Sequence, residues 1–124
     1  MHVTKLVSTL AEDIASGAGT GTMLRAVRQF VMDADKSSDL AALIAGPPSS
    51  TGDERWDALV CGVAEDVAVR HGLPLPGWVV AHEPLEEWWF VTNYSGLHAL
   101  AFVETPPTLA RHGVFLRRAS LVNI

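Results

Sequence analysis

The residues of this chain best suited to chemistry are the histidines His71, His82, His98 and His112, together with Glu83, Glu86 and Glu87 around His82. Imidazoles titrate near neutrality and ligate transition metals, so they are the first groups to test for general acid–base work or metal binding. Their spacing supplies neither. No two share a helix at the i, i+4 separation that builds a zinc pair, and one cysteine, Cys61, cannot make a thiolate cage. Cys61 follows Val60 inside a helical pattern with no cation predicted beside it, which suits an inert core thiol. A Gly-x-Ser-x-Gly elbow is absent, and Ser95 and Ser120 read as helix caps. A small enzyme of unassigned reaction would need His82 or His98 to meet Glu83, Glu86 or Glu87 in a cleft. Otherwise the residues predict no catalytic set, no cofactor and no metal.

Glu86-Glu87-Trp88-Trp89-Phe90 is the most unusual stretch. Three consecutive large aromatics cannot all face one core from a single helix or strand. Either they plug the helices with the third ring partly covered, or one ring reaches a separate surface, where aromatics commonly anchor partners. The candidate partner-binding residues are therefore Trp78, Glu86, Glu87, Trp88, Trp89 and Phe90. One of Trp88 and Trp89 is expected to be accessible, or covered by a second chain.

Gly17-Ala18-Gly19-Thr20-Gly21-Thr22 is glycine-rich and opens a helix, as phosphate loops do. No lysine follows at the required position and the preceding segment is helical, so it reads as an interhelical turn. The helices on either side also suggest a helix-turn-helix, with Met23, Leu24, Arg25, Val27 and Arg28 on the second. Its turn is long and its face offers little polar reach towards base edges.

The elements that must carry these groups follow from periodicity. Val3, Leu6, Val7, Leu10 and Ile14 have helical spacing, and Ser16 to Gly19 ends that helix. Thr20 or Thr22 is placed to cap a second helix with Met23, Val27, Phe30, Val31 and Ala34 as its stripe. Ser37-Ser38-Asp39 precedes a short third helix, stopped by Gly46-Pro47-Pro48. In the fourth, Thr51 and Glu54 have capping-box spacing, and Trp56, Leu59, Val60, Val63 and Val67 are predicted to be buried against the Val3–Ile14 stripe. His71-Gly72 and Pro74 close it.

Beyond lies a Pro- and Trp-rich part. Trp78 to Ala81 is a short strand or an extended segment, and Pro84 opens a helical turn through Phe90. Ser95 caps a helix carrying Leu97, Leu100, Ala101 and Val103. Thr108 to His112 forms one more turn before Gly113. The sequence thus predicts a mainly α, compact single domain, residues 1–124, of four to six helices with an extended, Trp-rich C-terminal segment. Residues 1–46 hold the N-terminal helices, 51–72 the central core helix and 73–124 the Pro/Trp-rich part.

Composition narrows the classes of function. The chain has 124 residues, enough to bury a core without disulfides or metal. Its single cysteine, and the lack of a signal peptide or of an apolar run near 18 residues, lead to an expected cytoplasmic location without a membrane. The formal net charge of −5 disfavours nucleic-acid binding by this domain alone.

Thr51-Gly52-Asp53-Glu54-Arg55-Trp56-Asp57-Ala58-Leu59 is followed by Gly72-Leu73-Pro74-Leu75-Pro76-Gly77-Trp78 and Trp88-Trp89-Phe90-Val91. Leu97-His98-Ala99, Thr105-Pro106-Pro107 and Gly113-Val114-Phe115 complete the pattern. Together these resemble short actinobacterial proteins found beside, or fused to, helix-turn-helix regulators in toxin–antitoxin-like loci with nucleotidyltransferase-type toxins. The resemblance implies a non-enzymatic, antitoxin-like or regulatory protein whose partner is a cytoplasmic protein such as a toxin, with homo-oligomerisation as a further expectation. It transfers no functional residue.

Overall fold

The computed structural model describes residues 1–92 and 98–121. Among them the protein is mainly helical, 63% helix when seven α-helices and a 3-10 turn are counted together, with one small parallel sheet. Helix α1 (Val3–Ser16) buries Val3, Leu6, Val7 and Leu10 and is closed by Gly17 at φ 76°, a conformation that suits a residue without Cβ. Helix α2 (Thr20–Lys36) folds back on α1 and buries Met23, Leu24, Val27, Phe30, Val31 and Ala34. Its N-cap is Gly19, so Thr20 is the first helical residue and neither threonine caps with its side chain. Helix α3 (Leu40–Ile44) buries Leu40 and Ile44.

Helix α4 (Glu54–Arg70) is the axis of the molecule and packs against α1, α2, α3 and later elements. Trp56, Leu59, Val60, Val63 and Val67 are buried as their spacing predicts. Burial runs without a break from Ala58 to Ala68, because neighbours surround the helix on every side. Its start differs from the sequence reading. Asp53 is the N-cap, its carboxylate accepting from the Arg55 and Trp56 amides, while the Thr51 hydroxyl donates to Asp57 at 2.7 Å. A carboxylate nearer the first turn takes the role that capping-box spacing gave to Thr51.

Two further segments depart from expectation. Gly77–Ala81 is a short helix, α5, rather than a strand. The stretch after Pro84 forms no helix: it bends at Glu86 and Glu87, and Trp89–Phe90 forms strand β1, paired in parallel with Val114–Phe115, β2. The Trp89 amide donates to the Gly113 carbonyl at 2.8 Å and the Val91 amide to that of Phe115 at 3.2 Å. Backbone partners from a distant segment thus override the local tendency of Glu86 and Glu87 to continue a helix. Between the strands lie α6 (His98–Glu104) and α7 (Pro107–Ala110). The expected cap Ser95, with Leu97, lies outside the described residues, as do Val122 and Ile124.

Helix α7 crosses α4 at Gly62, where an added Cβ would lie 3.2 Å from the Leu109 Cα. This close approach brings Arg111 and His112 to the buried face of α4. A 3-10 turn, Arg118–Leu121, completes the packing on α2. Asp66 fastens these pieces together. Its nearly buried carboxylate accepts from Arg118 at 2.9 Å, from Arg70 at 3.0 Å and from the Thr108 hydroxyl at 3.0 Å.

Candidate functional site

Alternation along the extended segment divides the aromatic triplet. Trp89 turns inward, edge-on to Trp56 at 5.2 Å between ring centroids, with the Arg55 guanidinium 6.0 Å above it. Trp88 and Phe90 turn the other way. Trp88 contacts Phe102 at 5.5 Å and Phe115 at 5.0 Å, and Phe90 stacks on Phe115 at 5.0 Å and on His98 at 4.3 Å. Much of this cluster is open to solvent: Trp88 is 61% exposed and Phe102 54%, and Val103, next to Phe102 on α6, is 79% exposed. Of the apolar positions the sequence places on this helix, Ala101 is buried while Leu100 and Val103 are exposed.

The six candidate partner-binding residues therefore do not form one surface. Glu86 and Glu87 are exposed, and Trp88 and Phe90 share the outer cluster. Trp78 is half-buried elsewhere, its indole N–H donating to the Ile44 carbonyl at 3.0 Å, and Trp89 is half-buried against the core. Phe102 and Val103 are the members that sequence reasoning missed, since helical spacing alone does not say which face of a short helix meets the core.

The histidines separate as well. His71 pairs with Asp35 at 2.8 Å. His98 lies on Phe90, and its Nε2 is buried with no hydrogen-bond partner among the described residues. His82 lines a cleft of about 580 Å³ with Glu83, Glu86 and Glu87, joined by Glu54 and Asp57 from α4. Of the two histidines weighed against these carboxylates, His82 lines this cleft and His98 does not. Asp57 is engaged in holding its own loop, accepting from the Thr51 amide at 2.7 Å and the Ser50 hydroxyl at 2.6 Å.

Behind the cleft, His82 meets groups that no local pattern connects. His82 follows α5, His112 follows α7, and Cys61 and Glu65 sit one turn apart on α4. The two Nδ1 atoms are 3.1 Å apart, and His112 Nε2 is 3.3 Å from Glu65 Oε1. Glu65 is 2% exposed and also pairs with the Arg111 guanidinium. Cys61 donates its S–H to the Val79 carbonyl at 3.6 Å.

Burial, reinforced by the Glu65 charge against the weaker pull of Arg111, pushes the Cys61 thiol up to about 12. It is therefore no free thiolate nucleophile near neutrality. Burial first and His112 second lower the His82 pKa and favour its neutral ring. The sequence does hold one signal for this cluster. Glu65 and Asp66 interrupt the apolar run of α4, and an acid inside a core helix demands partners.

On α2, Met23, Leu24 and Val27 face the core, Arg25 is exposed and Arg28 donates to the Ser120 carbonyl at 3.4 Å. No described helix is long and apolar enough to cross a membrane. Comparison with family models, curated proteins and solved structures gave no match.

Proposed function

We propose that this protein is a non-enzymatic, antitoxin-like or regulatory binding protein that docks a basic protein partner on the face formed by Trp88, Phe102 and Val103. The observation that carries the reading is the exposure of Trp88 against the buried Phe115 ring and the half-exposed Phe102 ring. A supported, solvent-facing indole is preorganised for binding, because little side-chain freedom remains to be lost on contact. Glu86 and Glu87 precede it in the chain and are exposed, and the net charge of −5 favours a partner rich in Lys and Arg. The resemblance noted in the sequence makes a toxin encoded beside this chain the first partner to try. Co-expression with that neighbour, followed by calorimetry on the purified pair, tests the proposal. Trp88→Ala is expected to cost at least ~2 kcal/mol of binding, about 30-fold. A neighbour that forms no complex, or one whose affinity ignores both Trp88→Ala and Phe102→Asp, would refute it.

The cleft around His82 favours a second reading, a small enzyme in which a neutral His82 acts as base beside Glu83, Glu86 and Glu87. Hydrolytic activity of the purified protein that disappears in a folded His82→Ala variant would support it over the first.

A further inference from the structure

We propose that Cys61, His82 and His112 form a binding site for a zinc-class divalent transition-metal ion, with Glu65 positioning His112 from behind. The Cys61 Sγ and one ring nitrogen of each histidine all lie within 4.8 Å of one another. In a tetrahedral zinc site with bonds near 2.0 Å to nitrogen and 2.3 Å to sulfur, ligand atoms stand about 3.3–3.5 Å apart. The two Nδ1 atoms, at 3.1 Å, already have nearly that separation. No edge of the triangle exceeds 4.8 Å, so an ion closes the widest by at most about 1.5 Å.

The surrounding groups suit the same purpose. An ionised carboxylate only accepts, so Glu65, 3.3 Å away, favours the tautomer with the proton on His112 Nε2, which leaves the Nδ1 lone pair facing His82. Without an ion, His82 must donate its Nδ1 proton to that lone pair. With one, His82 takes the Nε2–H tautomer and both Nδ1 lone pairs point at the metal. A carboxylate behind a ligating imidazole is the usual outer partner of a zinc-bound histidine. It gives the buried Glu65 a role that its ion pair with Arg111 alone does not require.

The donors select the ion. Two imidazoles and a sulfur suit zinc or cobalt and exclude magnesium and calcium, which prefer oxygen. Cys61 binds as the thiolate, its proton passing to solvent as the ion enters. The fourth position is left to water, reached from the cavity of about 370 Å³ that Cys61, Trp78 and His82 help to line. The ion would tie α4 to the segments that follow α5 and α7, at a point where the only polar links among the described groups are hydrogen bonds and the Glu65 pair. The metal site shares no residue with the aromatic face and needs no partner.

Chelator-treated full-length protein titrated with Co²⁺ alone, then with Zn²⁺, tests it. The expected result is one Co²⁺ per chain, with thiolate-to-cobalt charge-transfer absorption, tetrahedral d–d bands and displacement by Zn²⁺. Cys61→Ser is expected to abolish the charge-transfer band, His112→Ala to weaken binding at least 100-fold, and Glu65→Gln to weaken it about 10- to 100-fold. His98→Ala should change nothing. Because buried variants can misfold, His82→Ala, at a half-buried position, supplies the decisive case, with folding checked by circular dichroism. Cobalt binding without a thiolate band in the native protein, or unchanged affinity in folded His82→Ala, overturns the assignment and leaves the cluster as a hydrogen-bonded core.

Discussion

His82 and His112, thirty residues apart in the chain, face each other Nδ1 to Nδ1 at 3.1 Å. Through Glu65 the pair is tied to α4, so a helix end, a turn and the central helix meet at one buried polar point. The only other buried charged side chain among the described residues is Asp66, which makes this point and Asp66 the places where charge changes matter most.

Leu59 and Val63 are buried on α4 among residues from α1 and α2. Replacing either with Asp would place a carboxylate where it has no partner, at a cost of several kcal/mol, comparable with a small domain's whole stability. Denaturant titration should show Leu59→Asp and Val63→Asp unfolded in buffer. A cooperatively melting variant would contradict the assignment of α4 as the core axis.

The two adjacent tryptophans should respond differently to truncation. Trp89 packs on Trp56, so Trp89→Ala should lower stability by about 2 kcal/mol or more. Trp88 is mostly exposed, and Trp88→Ala should stay within about 0.5–1 kcal/mol of the native protein while losing affinity for the partner. Equal losses of stability in both variants would make Trp88 a structural residue.

Acid should destabilise the protein through Asp66. Burial alone would raise this carboxyl, but Arg118, Arg70 and Thr108 outweigh it and hold the pKa below the usual 3.8. The native state therefore prefers the ionised form more strongly than the unfolded chain does. That contribution is complete above the unfolded value and disappears as pH falls through the lower native value. Asp66→Asn should weaken the protein at neutral pH, and the gap between variant and native stability should narrow below about pH 4. A gap independent of pH would show that packing, not charge, is what Asp66 supplies.

Gly62 sets the distance between α4 and α7. A side chain there meets the Leu109 backbone at 3.2 Å, and Gly62→Val should cost about 1–3 kcal/mol through overpacking. Since α7 delivers His112 to Glu65, the same variant should perturb the His112 ring resonances in NMR spectra. Unaltered stability would mean that α7 can move away freely.

The parts legible in the sequence are those governed by neighbours three or four residues apart. The stripes of α1 and α2, the buried set of α4, and the left-handed stops at Gly17, Gly72 and Gly113 all follow from local spacing and from glycine's freedom at positive φ. Thr51 was misread as the cap of α4 because Asp53, two residues on, offers the stronger acceptor to the same first turn.

Tertiary structure decided the rest. Trp89 and Phe90 are extended because β2 supplies their backbone partners, and that pairing sends Trp88 outward and Trp89 inward. Cys61, His82 and His112 come together only after α5 and α7 have packed on α4, and their separations along the chain match no local motif. Helical periodicity records which face of a segment is apolar. Which distant group that face will meet depends on packing among all the elements, and no spacing within one of them encodes it.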